Sequence, residues 1–95
     1  MAIKRDYRKL AKGRDCMVRI PGACNHNPET VVLAHVGGAG MGYKAHDIHG
    51  AWCCSACHDA IDGRAKSGYT QDTLKLWHLQ GVIRTQESLM GEGLL

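Results

Sequence analysis

The chain has 95 residues with 12 Gly, no Phe, three Tyr and two Trp, so it suits one small domain with a thin core and much loop. Its net charge of +3 is uneven: residues 1–20 hold seven of the 12 Lys/Arg against two Asp, which makes the N-terminal segment basic and suited to meeting phosphates. No apolar stretch follows the basic N-terminus and no run nears the roughly 20 apolar residues of a membrane span, which excludes the usual signal peptide, leaves no membrane partner and leads to the expectation of a cytoplasmic protein.

In chain order, residues 4–12 read as two helical turns stopped by Gly13. Cys16-Met-Val-Arg-Ile20 reads as a short strand before the Pro21-Gly22 turn. Asn25-His26-Asn27-Pro28 is a loop in which His26 is solvent-exposed. Thr30 to Val36, β-branched and apolar, is the best strand, with His35 at its end. The run Gly37-Gly-Ala-Gly-Met-Gly42 is a loop and lacks the Gly-Lys-Ser/Thr of a phosphate-binding Walker loop. Ile48 to Cys53 is the returning strand, and Ser55 to about Ala65 a helix ending near Gly63. Thr70 caps a last helix to about residue 90, with Leu74, Leu76, Trp77, Leu79, Val82 and Ile83 as its apolar stripe and His78 a surface or packing residue. No repeat or linker appears, so the organisation is a single domain over 1–95: a basic segment 1–15, a core of about 16–66 and the C-terminal helix.

Five cysteines are many for this length, and in a cytosolic chain they are more often metal ligands or catalysts than disulfides. Cys54-Ser-Ala-Cys57 can place two thiolates on one metal, and Cys16 and Cys24, flanking the Pro21-Gly22 turn, are the natural second pair. Together they predict a structural zinc site, the staple that a small core needs. Cys53 is left over, because strand alternation turns it away from Cys54. Cys54-Ser-Ala-Cys57-His58 also matches a c-type haem attachment motif, which export would normally accompany. A thioredoxin-like pair would call for a βαβ pattern that is absent.

His58 and Asp62, at i and i+4, share one helix face. His35 can act as a general base near neutral pH, and His58 and Asp62 can hold a divalent ion. His49 or Asp47, before the returning strand, would complete the site. Arg5, Arg8, Lys9, Lys12, Arg14 and Lys44 are candidate nucleic-acid contacts.

Ala34-His35, His49 and Cys54-Ser-Ala-Cys57-His58 together resemble the HNH (His-Me finger) endonuclease pattern. More narrowly, Arg19-Ile-Pro-Gly-Ala-Cys24, Asn27-Pro-Glu-Thr30, Val32-Leu-Ala-His35, Gly40-Met-Gly42 and Ala56-Cys-His-Asp59 resemble the YbcO-like nucleases of lambdoid phages and prophages. The likeness runs from about residue 8 to 64. It implies an α+β, zinc-stabilised ββα-metal (treble-clef) fold cutting duplex or branched DNA with Mg²⁺ or Mn²⁺, in phage recombination or packaging. In that frame His35, His49 and His58 are the catalytic residues. Two positions depart from the wider pattern: Ala34 stands where a metal ligand is usual, and His49 where Asn is common, with Asp47 an oxygen ligand able to replace the missing one. The competing readings are a non-catalytic zinc module that binds nucleic acid, and an adaptor that dimerises or joins phage recombination proteins through its last helix.

Overall fold

A computed structural model of the chain describes residues 7–36 and 47–95. The architecture is α+β: α1 (Tyr7–Ala11), β1 (Val32–His35), β2 (Gly50–Cys53), α2 (Ser55–Ile61) and α3 (Gln71–Gly91), with 3-10 turns at Pro28–Thr30 and Asp47–His49. β1 and β2 form a two-stranded antiparallel sheet pairing Val32 with Cys53, Leu33 with Trp52, Ala34 with Ala51 and His35 with Gly50. The glycine-rich loop lies outside the described residues, as do Arg5, Lys44 and the side chain of Asp47.

Local chemistry sets the boundaries. α1 stops at Gly13, whose φ of +87° suits a residue without Cβ and whose N–H donates to the Pro28 carbonyl at 3.1 Å. Both strands are shorter than the apolar runs predict, because Thr30 and Ile48 are taken into 3-10 turns. α2 likewise ends at Ile61 rather than near Ala65, with the turn completed at Gly63 (φ +79°). α3 begins where expected: Thr70 caps it, its side chain accepting from the Thr73 N–H at 3.2 Å.

The predicted strand over Cys16–Ile20 does not form. Arg19 adopts the left-handed region (φ +52°), and the N–H groups of Arg19 and Ile20 point to cysteine sulfurs instead of a partner strand. This segment is a knuckle rather than a ladder, so its alternation between buried and exposed residues was misleading.

α3 packs along β2 with only part of the predicted stripe, since Leu74 and Val82 are buried and Trp77 is partly so. Its buried line is Leu74, His78, Gly81, Val82, Thr85 and Leu89, whereas Leu76, Leu79 and Ile83 face solvent. Gly81 permits the close approach: a Cβ there would stand 2.8 Å from Val18 Cγ2 and 3.2 Å from Ala51 Cβ. Polar side chains finish the contact. Thr85 Oγ1 accepts from the Trp52 N–H at 2.9 Å and donates to the Gly81 carbonyl at 2.8 Å. Arg84 donates to the Met17 carbonyl at 2.8 Å, and Gln86 to that of Ile48 at 2.6 Å.

Trp52, Ile20, Val18 and the sulfurs of Cys53, Cys54 and Cys57 form the centre of the core. The Arg14 guanidinium lies 5.0 Å from the Trp52 ring centroid and bonds Glu92 at 2.7 Å, so the N-terminal segment is tied to the end of α3. Tyr7 OH, donating to the Leu94 carbonyl at 3.1 Å, is a second tie. Among the described residues no helix is long and apolar enough to cross a membrane.

Candidate metal centre and active site

Cys16 and Cys24 come from the knuckle and its turn, Cys54 from the end of the sheet and Cys57 from the first turn of α2. Their four sulfurs all lie within 4.8 Å of one another. The Cys16–Cys57 and Cys24–Cys54 separations are 3.7 and 3.8 Å, too long for disulfides. They match the roughly 3.8 Å edge of a tetrahedron whose corners are about 2.3 Å from a zinc ion. Backbone N–H groups aim at the sulfurs as they would at thiolates: Arg19 to Cys16 and Ile20 to Cys57, both at 3.4 Å, and Cys57 to Cys54 at 3.3 Å. The cluster could therefore hold a metal ion such as zinc.

The thiols also need a cation in order to ionise together. Hydrogen bonds from Cys53 and Cys57 hold the Cys16 thiol well below its ordinary value, and the same bonds to Cys16 push Cys53 and Cys57 up. Burial pushes Cys24 up to about 11. One thiolate is thus favoured at its neighbours' expense, and a divalent ion supplies the charge that four thiolates require. Cys53 is outside the four-sulfur set, as the odd count predicts; it is fully buried and its thiol donates to the Cys54 carbonyl at 3.5 Å.

The same scaffold assembles a second group. His35 ends β1, and the Val36 N–H donates to the His49 carbonyl at 3.1 Å, so the two histidines flank one end of the sheet. His58 Nε2 on α2 and Oδ2 of Asp62, which caps that helix, lie 3.6 Å apart. Asp62 is also 3.5 Å from Arg64, which reaches Asp59 as well. His78 of α3 is 5% exposed and its Nε2 lies 2.7 Å from the Ala34 carbonyl oxygen. Burial pushes its pKa down, and the charges of His58, Asp62 and His35 all reach it. Three elements thus bring four titratable groups into one electrostatic neighbourhood.

The model of the family described as "Putative nuclease YbcO" matches residues 5–94. The chain belongs to the YbcO family. It is 47% identical over 96 aligned positions to "Putative nuclease YbcO" of Escherichia coli (strain K12), an alignment covering 95% of this chain and 96% of that protein. "Putative nuclease ybcO" of Enterobacteria phage 82 matches with the same identity and coverage. A solved structure titled "Structure of a putative bacteriophage protein from Escherichia coli str. K-12 substr. MG1655" superposes with a TM-score of 0.80 at 45% identity, covering 93% of this chain and 100% of that one. The first two relatives bear nuclease names and one of them comes from a phage, whereas the solved structure is titled only as a bacteriophage protein.

The YbcO scaffold places the candidate nucleic-acid residues unequally. α1 packs against β1 and the turn that carries His49, and Arg8 and Lys9 on it and Lys12 just after it are exposed. Arg14 is half-buried and engaged by Glu92 and Trp52, a structural position. Of the two expectations for His78, a surface or a packing residue, the structure selects packing: it lies four residues after Leu74 and four before Val82, on the buried line.

Proposed function

We propose that this YbcO-family protein is a zinc-stabilised nuclease of the ββα-metal (HNH) type that hydrolyses DNA phosphodiester bonds in phage DNA processing or recombination. The observation that carries this reading is the strand–strand–helix unit hung from the four-cysteine cluster, with His35 at the strand end and the His58–Asp62 pair on the helix that follows. The zinc is structural in this reading, since four thiolates leave it no open position.

His58 and Asp62 would hold a catalytic Mg²⁺ or Mn²⁺, with Asp47 or His49 completing the set. Mg²⁺ usually keeps several waters and takes further ligands from substrate phosphate, so two or three protein donors suffice. Such an ion supplies positive charge for the phosphoryl oxygens. His35, as the neutral imidazole, takes the proton of the water that attacks phosphorus. Arg8, Lys9 and Lys12, with Arg5 and Lys44, would bind flanking phosphates. With little surface for base readout, selection by DNA structure is expected, and branched DNA should be cut in preference to linear duplex.

The test is cleavage of supercoiled plasmid and of a branched DNA with Mg²⁺ or Mn²⁺, wild type against His35→Ala, both folded and carrying about one zinc per chain. Cutting by wild type alone supports the reading and places the base. DNA binding without cutting in either protein would establish the non-catalytic zinc module instead, the outcome that Ala34 favours. Equal cutting of every DNA structure would refute selection by structure.

A further inference from the structure

A carbonyl oxygen can only accept, so the 2.7 Å contact with Ala34 makes His78 the Nε2–H tautomer and the donor. Nothing in packing demands an imidazole at this place on α3, because a leucine would fill similar space without burying a polar ring. Burying the ring costs free energy that its hydrogen bond to the Ala34 carbonyl offsets. The Ala34–His35 peptide carries the candidate base. Ala34 is itself buried and offers only a methyl group, so it can anchor the end of β1 through its main chain alone.

The tie is also long in sequence, joining residues 44 positions apart. α3 holds neighbouring parts of the scaffold in the same manner, with Arg84 on Met17, Thr85 on Trp52 and Gln86 on Ile48. His78 is the member of this row that reaches the strand bearing His35. Rotation of the 34–35 peptide would swing the His35 side chain, and an error of about 1 Å in a catalytic group can cost about 100-fold in rate.

We infer that His78 is a positioning residue for the His35 site: its Nε2–H holds the Ala34 carbonyl and thereby fixes the peptide from which the base projects. The role in catalysis rests on the nuclease reading above, whereas the positioning itself does not.

Glutamine and asparagine separate this role from simple packing. The amide nitrogen of glutamine stands where imidazole Nε2 stands, whereas that of asparagine stands at the Nδ1 place, one bond too short. The ring correlations of His35 would be recorded by NMR in zinc-loaded wild type, His78→Ala, His78→Asn and His78→Gln at one pH, with His26 as the internal control. The expected result is displacement of the His35 signals in the alanine and asparagine variants, wild-type positions in the glutamine variant, and unmoved His26 signals throughout. Cleavage should follow: kcat down about tenfold to 100-fold in the first two with KM little changed, and restored by glutamine. If wild type cuts nothing, the nuclease reading fails while the NMR comparison still decides the positioning. Unmoved His35 signals in His78→Ala, or equal displacement in all three variants, would overturn the inference. Loss of folding in both the alanine and asparagine variants would make His78 a stability residue and would overturn it too.

Discussion

At single positions the α3–β2 contact leaves little tolerance. Alanine at Gly81 would gain about 1 kcal/mol of helix preference. It would also meet Val18 Cγ2 at 2.8 Å and the Val18 Cα at 3.2 Å, and the second of these is backbone that cannot rotate away. Overpacking of this kind costs about 1–3 kcal/mol, so Gly81→Ala is expected to lower the urea midpoint. Gly91→Ala, where nothing lies within 4 Å, should not. Thr85→Val keeps the shape but leaves the buried Trp52 N–H without its 2.9 Å partner, a loss of about 1–3 kcal/mol by the same assay. His78 adds a pH dependence. Its pKa is lowered in the fold, so the unfolded chain binds the proton more readily. The stability it contributes is complete above the unfolded value of about 6.5 and falls as pH drops from there toward the lowered folded value. Unfolding at pH 7.5 and 5.5 should therefore show a steeper acid loss in wild type than in His78→Gln, and equal slopes would refute the assignment.

Among the elements, the cysteine cluster makes the strongest demand. Cys54 both caps α2 and contributes to the sulfur set, so Cys54→Ser should abolish metal retention and cooperative unfolding together. Cys53→Ala should keep about one zinc per chain by elemental analysis, because its sulfur lies outside the set. Loss of zinc in Cys53→Ala would make it a ligand. Much of this level was legible in the sequence. Cys-x-x-Cys spacing, the β-branched run before His35 and the Thr70 cap each rest on local chemistry that the fold leaves intact. What escaped was non-local. The knuckle at Cys16–Ile20 uses its backbone donors on sulfurs supplied partly by Cys57, which a strand template cannot register. The inward face of α3 is set by polar residues that find partners far along the chain, His78 and Thr85 above all. Counting apolar residues at helical spacing therefore found Leu74, Trp77 and Val82 but added Leu76, Leu79 and Ile83, which lie on the solvent side.

In the whole molecule, Arg14 joins its first helix, its core tryptophan and its last helix. Its bond to Glu92 is largely exposed and adds little by itself, whereas the stacking on Trp52 contributes about 0.5–1 kcal/mol. Arg14→Ala should thus lower stability modestly yet leave the salt dependence of DNA affinity unchanged. Lys12→Ala should reduce that slope by about one while leaving stability alone. The reverse pattern would make Arg14 a phosphate contact. The placement of these ties along the chain also bears on how each copy is made. Synthesis runs from the N-terminus, and all four clustered cysteines have emerged by Cys57, whereas the side chains that cover Trp52 and grip the sheet come after Leu74 and the last tie is at Leu94. A nascent chain therefore offers its thiols before it can bury them, and its first stable partner would be the metal ion rather than its own last helix. A fragment ending at residue 66 should accordingly take up zinc while Trp52 stays open to fluorescence quenchers. In a metal-starved host the exposed thiols of a half-made chain would be open to oxidation and proteolysis before α3 is complete.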